Sequence, residues 1–365
     1  MTSHKYLSKK KGAAYTFFSG LRTAILPSVC IALLELLVFA IAPAFTLSEK
    51  KKSLGAASTE KLSDTIKFFT SIFEERFLCY AVLISVALLS ITAAVILLRF
   101  MADKHTVNVY YSLGIKRRTL FLSRWFSGAV MLTVPPVLAV TAGFIVNLIY
   151  LKLSWQLSVA YLHIFLGMWI FSLLCFSVSA AVFSSVGTVS EGIFYSVGVL
   201  AFPSAVLLAL QNLLTAFIPA ATFKSQIRTF GTSGFFDSLT GQSLLTKLSR
   251  YNPILFFADD LFCYSCGTVK QSQLLLADST PFTFPNFGIS LFWIPVAVII
   301  TVIGCVFFVR RNAENCGFLN TNKVLANAVL FELIMAAVAI PLTEINYYPL
   351  KDLFIGSAAA AFVIY

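Results

Sequence analysis

Apolar residues in this chain fall neither in strict alternation nor in helical stripes, but in long runs punctuated mostly by single Ser, Thr and Gly. Roughly 20 helical residues at ~1.5 Å rise cross the ~30 Å hydrocarbon core of a bilayer. Seven runs reach that length: Ala24–Phe45, Phe77–Arg99, Trp125–Leu151, Ala160–Phe183, Gly192–Leu214, Gly288–Val309 and Lys323–Leu342. An eighth opens near Leu353 and is too short to cross before Tyr365. It reads as the start of a span in a longer chain rather than as a half-embedded tail. A barrel would show period-two alternation in ~10-residue strands, and lipid offers no partner for unpaired backbone groups, so the runs predict helices. The predicted fold is an all-α polytopic membrane protein. A basic leader covers 1–23, a six-span bundle covers 24–309 with outer loops at 47–76 and 215–287, and a turn, a seventh span and the start of an eighth occupy 310–365.

Composition leaves little room for another class. With 58% hydrophobic residues, 12% charged residues and a mean hydropathy of +0.86, polar surface is too scarce to coat a soluble globule. The net charge of +11 is distributed as a topological signature. Met1–Thr23 has five bases and no acid, Arg99–Arg124 has six bases against Asp103, and Arg310–Lys323 has three against Glu314. Lys152–Ser158 has one base, while Leu47–Arg76 carries six bases against five acids and Thr215–Phe287 five against four. Positive charge in short connections resists translocation, so the first group faces the cytoplasm and the second the outside. A cleavable signal peptide fits poorly, since Pro43 would directly follow the Ala40-Ile41-Ala42 cut and the apolar run exceeds the usual signal core. Bases spread over several turns do not form one nucleic-acid-binding face, and no nucleic-acid partner is expected.

Catalytic motifs are missing from the sequence. It has no G-x-x-x-x-G-K-[ST] phosphate loop, no H-E-x-x-H and no G-x-S-x-G elbow, and His4, His105 and His163 are scattered. Neither enzymatic activity nor a bound cofactor or metal is expected. Cys30, Cys79, Cys175 and Cys305 act as small apolar residues in or beside spans. Cys316 is expected to be cytoplasmic and reduced. Cys263 and Cys266 stand at C-x-x-C spacing, which allows a local disulfide, a redox pair or no role, and without a second pair or a thioredoxin-like context the last is favoured. Glu35 and Glu332 are the carboxylates well inside spans. Ionisable groups cost at least a few kcal/mol there. Either they line a path or contact substrate, or they are neutral or hydrogen-bonded to neighbouring helices; the second reading leads for Glu332, and Glu35 is a candidate pathway residue. Ser177, Ala181 and Ser185 place small residues on one face of the fourth span, suited to close approach of another helix of this chain or of a dimer partner, the intrachain contact being favoured. In the second outer loop, Asn252-Pro253 introduces an apolar patch over Ile254–Phe262, read as a short interfacial helix.

The segment Asn108–Gly128 is the richest in information. Lys116, Arg117, Arg118 and Arg124 are interleaved with Tyr110, Tyr111, Phe121, Trp125 and Phe126, with no acid among them, and Gly114 interrupts the helical pattern. A helix–turn–helix at the cytoplasmic surface follows. It can set aromatic residues into a groove of a partner while its bases hold anionic headgroups at about 1 kcal/mol each, or it can serve as a plain positive-inside anchor.

The run Tyr111-Ser112-Leu113-Gly114-Ile115-Lys116-Arg117-Arg118-Thr119-Leu120-Phe121, closing on Ser127-Gly128, resembles the coupling segment of bacterial type-2 ABC (ATP-binding cassette) transporter permeases. It departs from that pattern at Gly114, where proline is common. Arg311-Asn312-Ala313-Glu314-Asn315-Cys316-Gly317-Phe318 is similar to an arginine–glutamate–glycine pattern of large permeases of Gram-positive bacteria. The two matches cover some thirty residues. The resemblance implies a multi-pass permease subunit of the bacterial plasma membrane, N-terminus cytoplasmic, that works with a separate cytoplasmic ATPase subunit, a second permease chain or half, and the surrounding lipid. It implies ATPase coupling through Tyr111, Leu113, Gly114, Lys116, Arg117, Arg118 and Phe121 within 108–124, and a second cytoplasmic contact at Arg311, Glu314 and Gly317. The rival readings are a membrane sensor or assembly subunit, and a secondary transporter, for which Pro135-Pro136 and Pro203 offer a weak hint of broken spans.

Overall fold

The computed structural model describes residues 9–41, 76–112, 115–150, 155–217, 252–262, 287–311, 316–319 and 322–344. All regular structure among them is helical. In chain order the helices are α1 (Lys9–Leu36), α2 (Arg76–Leu98), α3 (Lys104–Ser112), α4 (Arg117–Tyr150), α5 (Trp155–Ser185), α6 (Val189–Phe217), α7 (Pro253–Phe262), α8 (Phe287–Arg310) and α9 (Lys323–Glu344). A five-residue π-helical segment, Leu37–Ile41, continues α1, and a 3-10 turn, Arg99–Met101, follows α2.

Six stretches are long and apolar enough to cross a membrane: Gly12–Leu36, Leu83–Met101, Arg117–Val146, Tyr161–Ser185, Val189–Leu207 and Ser290–Arg310. These coincide with the first six expected spans and make a multi-pass membrane protein. α9 covers the expected seventh span but is not among the six; the expected eighth, Glu314, and nearly all of both outer loops lie outside the described residues. Two boundaries differ from expectation. α1 is already helical at Lys9, inside the expected leader, and α4 starts at Arg117 rather than Trp125. Both extensions have one cause: the early turns of the two helices pack on each other.

That packing is parallel. Thr16 Oγ1 and Ser123 Oγ are hydrogen-bonded at 2.8 Å, and Ser28 Oγ donates to Met131 O at 2.7 Å, so the contacts advance together along both helices. Gly20 makes the approach possible, because a Cβ there would overlap Ser127 Oγ. Close contact between small residues is the usual route to tight packing where lipid supplies no hydrophobic drive.

The chain divides into two compact units, Met1–Ile193 with Phe257–Leu319 and Phe194–Phe256 with Asn320–Tyr365. In the first, α5 is the central helix: 83% of its most apolar stretch is buried, against 22–44% for the other five spans. It packs against α2, α4 and α8. Two of its buried hydroxyls bond to their own helix, Ser179 Oγ donating to Cys175 O (2.8 Å) and Ser184 Oγ to Ala180 O (2.7 Å), while Ser177 Oγ accepts from Trp125 Nε1 of α4 (3.3 Å). The small face of this span serves an intrachain contact, since a Cβ on Gly304 of α8 would stand 2.9 Å from Ala181 Cα. Elsewhere in the same unit, Phe257 packs against Phe171 and Trp293 at centroid distances of 5.4 and 6.4 Å.

In the second unit, Asn252 caps the start of α7. Its Oδ1 accepts from the backbone N–H groups of Ile254 (3.1 Å) and Leu255 (3.3 Å), and its Nδ2 donates to Ser204 Oγ (2.9 Å). Asparagine before a first-turn proline is a strong helix start, as Asn252-Pro253 suggested. Gly198 of α6 lies against Val329 and Glu332 of α9.

Candidate functional site

Three helices of the first unit end where the basic connections lie. α2 with its 3-10 turn, α5 and α8 all bring their C-termini there, and α4 starts there. Each helix end leaves backbone carbonyls without intrahelical partners and carries partial negative charge. Two arginines answer those carbonyls. Arg311, buried just past α8, donates from Nη1 to Phe183 O of α5 (3.1 Å) and from Nη2 to Met101 O (2.9 Å), with Cys316 Sγ 3.9 Å away. Arg117, on the first turn of α4, donates from Nη1 to Val309 O (3.2 Å) and Arg311 O (3.0 Å) at the end of α8. A planar guanidinium can bridge two carbonyls of different chain segments, which a lysine ammonium does less well.

Burial lowers the pKa of Arg311 from its ordinary value, partly countered by Cys316, Tyr111 and Glu191, and the group remains a cation. The Arg117 guanidinium sits 4.3 Å from the ring centroid of Tyr111. Burial raises the Tyr111 phenol above its usual range, while the charges of Arg117 and Arg311 pull it back.

Aromatic rings fill the space between these cations. Phe308 of α8 is fully buried, and around it stand Phe121 (5.6 Å between centroids), Phe100 (6.4 Å) and Tyr111 (6.4 Å). Tyr110 lies 4.6 Å from Phe100, and its hydroxyl accepts a hydrogen bond from Arg124 Nη2 at 2.8 Å. α3 is thereby pinned to the bundle by two consecutive tyrosines, Tyr110 through Arg124 and Tyr111 through Arg117 and Phe308.

The predicted site residues therefore fall into two groups. Tyr111, Arg117, Phe121 and Arg311 converge in the knot just described. Phe121 is fully buried among residues of its own chain, so it cannot act as an aromatic anchor for a partner's groove; its apolar ring gains more from Phe308 than from water or headgroups. Lys116 and Arg118 are exposed on either side of Arg117, and Lys104, His105, Asn108 and Val109 make an exposed strip along α3. Leu113 and Gly114 lie outside the described residues; α3 ends at Ser112 and α4 begins at Arg117. Gly317 is exposed with φ +85°, a backbone conformation suited to glycine, and its N–H donates to Gly187 O at 3.0 Å.

Sequence reasoning missed Glu191 and Phe308. Glu191 is buried on the first turn of α6, and its N–H donates to Thr188 Oγ1 at 3.4 Å. Thr188-Val189-Ser190-Glu191 is the T-x-x-E pattern of a capping box, a signal that was available in the sequence. Phe308 had no such signal, being one apolar residue in a wholly apolar run.

Glu35 stands apart from this region. It is 1% exposed on α1, with no hydrogen-bond partner for either carboxyl oxygen. Glu332 is also buried, in the second unit, with Oε2 unpartnered. Among the described residues no group of three or more His, Cys, Asp or Glu could hold a metal ion. No protein-family model matches the chain, and no curated protein is detectably similar to it.

Proposed function

We propose that the chain is the membrane-spanning permease subunit of an ABC exporter of the bacterial plasma membrane, with a cytoplasmic N-terminus, coupling ATP hydrolysis by a separate ATPase subunit to substrate movement. The observation that carries this reading is the mechanical linkage of α3 and the start of α4. The element offers Lys116, Arg118 and the α3 strip outward, while on its inner side Arg117 bonds the end of α8, and Arg311 at that end bonds in turn the ends of α2 and α5. A push on the outer face would be felt by four helices at once. An element that served only to hold lipid headgroups would have no need of that connection.

On this reading the ATPase docks on the exposed bases, and the knot transmits its movement to the spans. Tyr111, Arg117 and Phe121 position the element rather than touch the ATPase. Arg311 and Gly317 belong to the same linkage, so the second contact expected from the sequence is better read as support for the first. A second permease chain or half completes the path. No covalent chemistry is required of the chain.

The test is purification in mild detergent from native membranes. A stoichiometric companion carrying a phosphate loop is expected, with ATP hydrolysis in the complex and none in the isolated chain. Isolation of the intact chain in transport-competent form without any ATPase would overturn the proposal.

A further inference from the structure

Glu35 is the penultimate residue of α1, directly before the π-helical segment Leu37–Ile41 that continues it beyond Leu36. Arg22, exposed on the same helix, marks the basic end. From Arg22 to Glu35 is about 20 Å at ~1.5 Å per residue, which puts the carboxyl well inside a hydrocarbon core of ~30 Å. The side chain does not escape toward lipid or water, being 1% exposed, and neither oxygen finds a hydrogen-bond donor.

Among the described residues, no compensating charge faces it. α1 packs against α4, α2 and the π-helical segment. From Leu83 to Leu98 of α2, from Trp125 to Val146 of α4, and across Leu37–Ile41, the sequence contains no ionisable side chain. On α1 itself, the other ionisable group beyond Arg22 is the Cys30 thiol, which is exposed. Arg124, the nearest buried cation on α4, is engaged with Tyr110 at the basic end. An ionised carboxylate in this setting would be an uncompensated buried charge, costing several kcal/mol, and a neutral acid avoids that cost. The adjoining π-helical turn departs from the i→i−4 ladder, and such turns recur at functional sites.

We propose that Glu35 is a proton-binding site inside the membrane bundle, occupied at neutral pH, whose ligand is the proton itself. The proton leaves only when water reaches the carboxyl, so its occupancy follows the opening of α1 against α2 and α4. This goes beyond the permease reading and does not depend on it, since it concerns the bundle with or without an ATPase.

The test treats the full chain in phosphatidylcholine vesicles at pH 7 with N,N′-dicyclohexylcarbodiimide, a lipid-soluble reagent that requires a protonated carboxyl. The acid proton passes to one carbodiimide nitrogen and the carboxylate oxygen bonds to the central carbon. Acyl shift to nitrogen then leaves a stable N-acylurea, with no leaving group and no change in oxidation state. The expected result is one reagent molecule on the peptide containing Glu35, none on that peptide in Glu35→Gln, and none at Glu35 from a water-soluble carbodiimide with added amine. Glu35→Gln should also match the wild-type melting temperature at pH 7, because the amide reproduces the neutral form, whereas Glu35→Lys should lower it. An unmodified Glu35 in vesicles where a buried-carboxyl control peptide is labelled would overturn the proposal. So would equal labelling by the water-soluble reagent, or a Gln variant as unstable as the Lys variant.

Discussion

Arg117 lies between Lys116 and Arg118 in the sequence and apart from them in the structure. Its guanidinium turns inward, bonds the carbonyls that end α8 and stacks on Tyr111; its two neighbours point out and are exposed. The same contrast runs through the aromatic residues, with Phe121 sealed against Phe308 and Phe126, five positions on, 54% exposed along the apolar part of α4. Residue type does not set the role here. Successive residues on a helix point about 100° apart, so one turn can send one base to the core and two to the surface. The inner set makes α3 and α4 continuous with the bundle, and the outer set stays exposed.

Breaking the inner face should have the largest effect on stability. Phe121→Ala removes a fully buried ring from the cluster and should cost about 3–5 kcal/mol, read from the unfolding midpoint in mild detergent. Arg311→Ala strands the carbonyls of Phe183 and Met101 and should cost roughly 2–3 kcal/mol, with Arg311→Lys recovering only part, because an ammonium does not span both acceptors. Gly128→Val sharpens the comparison from the packing side. A Cβ at Gly128 would overlap Phe176 and Leu97, so overpacking should cost about 1–3 kcal/mol, seen as a lowered melting temperature at unchanged expression. The outer face should respond least: Lys116→Glu or Arg118→Glu should shift stability by no more than about 0.5 kcal/mol.

Much of this architecture was legible in the sequence. Continuous apolar runs located six spans, the small face of the fourth found its partner at Gly304 within the chain, and Asn252-Pro253 opened a helix as its chemistry suggests. The start of α1 was harder to read. Lys9–Lys11 and Arg22 depress the apolar signal, yet Gly12, Thr16 and Gly20 repeat at a four-residue spacing and let that stretch lie on Ile115, Ser123 and Ser127. The basic segment was legible as an element but not as two faces. Deciding which base turns inward requires the partner carbonyls, and those sit on α8, far along the chain. Burial of Phe121 was hidden for the same reason, because an aromatic residue beside arginines reads equally well as an anchor for a partner or for the chain's own core.

The most direct test of the division of labour is a single comparison between Lys116→Glu/Arg118→Glu and the wild type, both purified from native membranes. Surface charge reversal should leave fold stability nearly unchanged while removing a docking contact, since exposed pairs contribute ~0–1 kcal/mol to folding but can govern association. The double variant should insert with the wild-type topology, melt at the wild-type temperature and lose most of the co-purified ATPase. A double variant that inserts and melts normally while retaining the ATPase at wild-type stoichiometry and activity would contradict the account, leaving the outer bases as headgroup anchors alone.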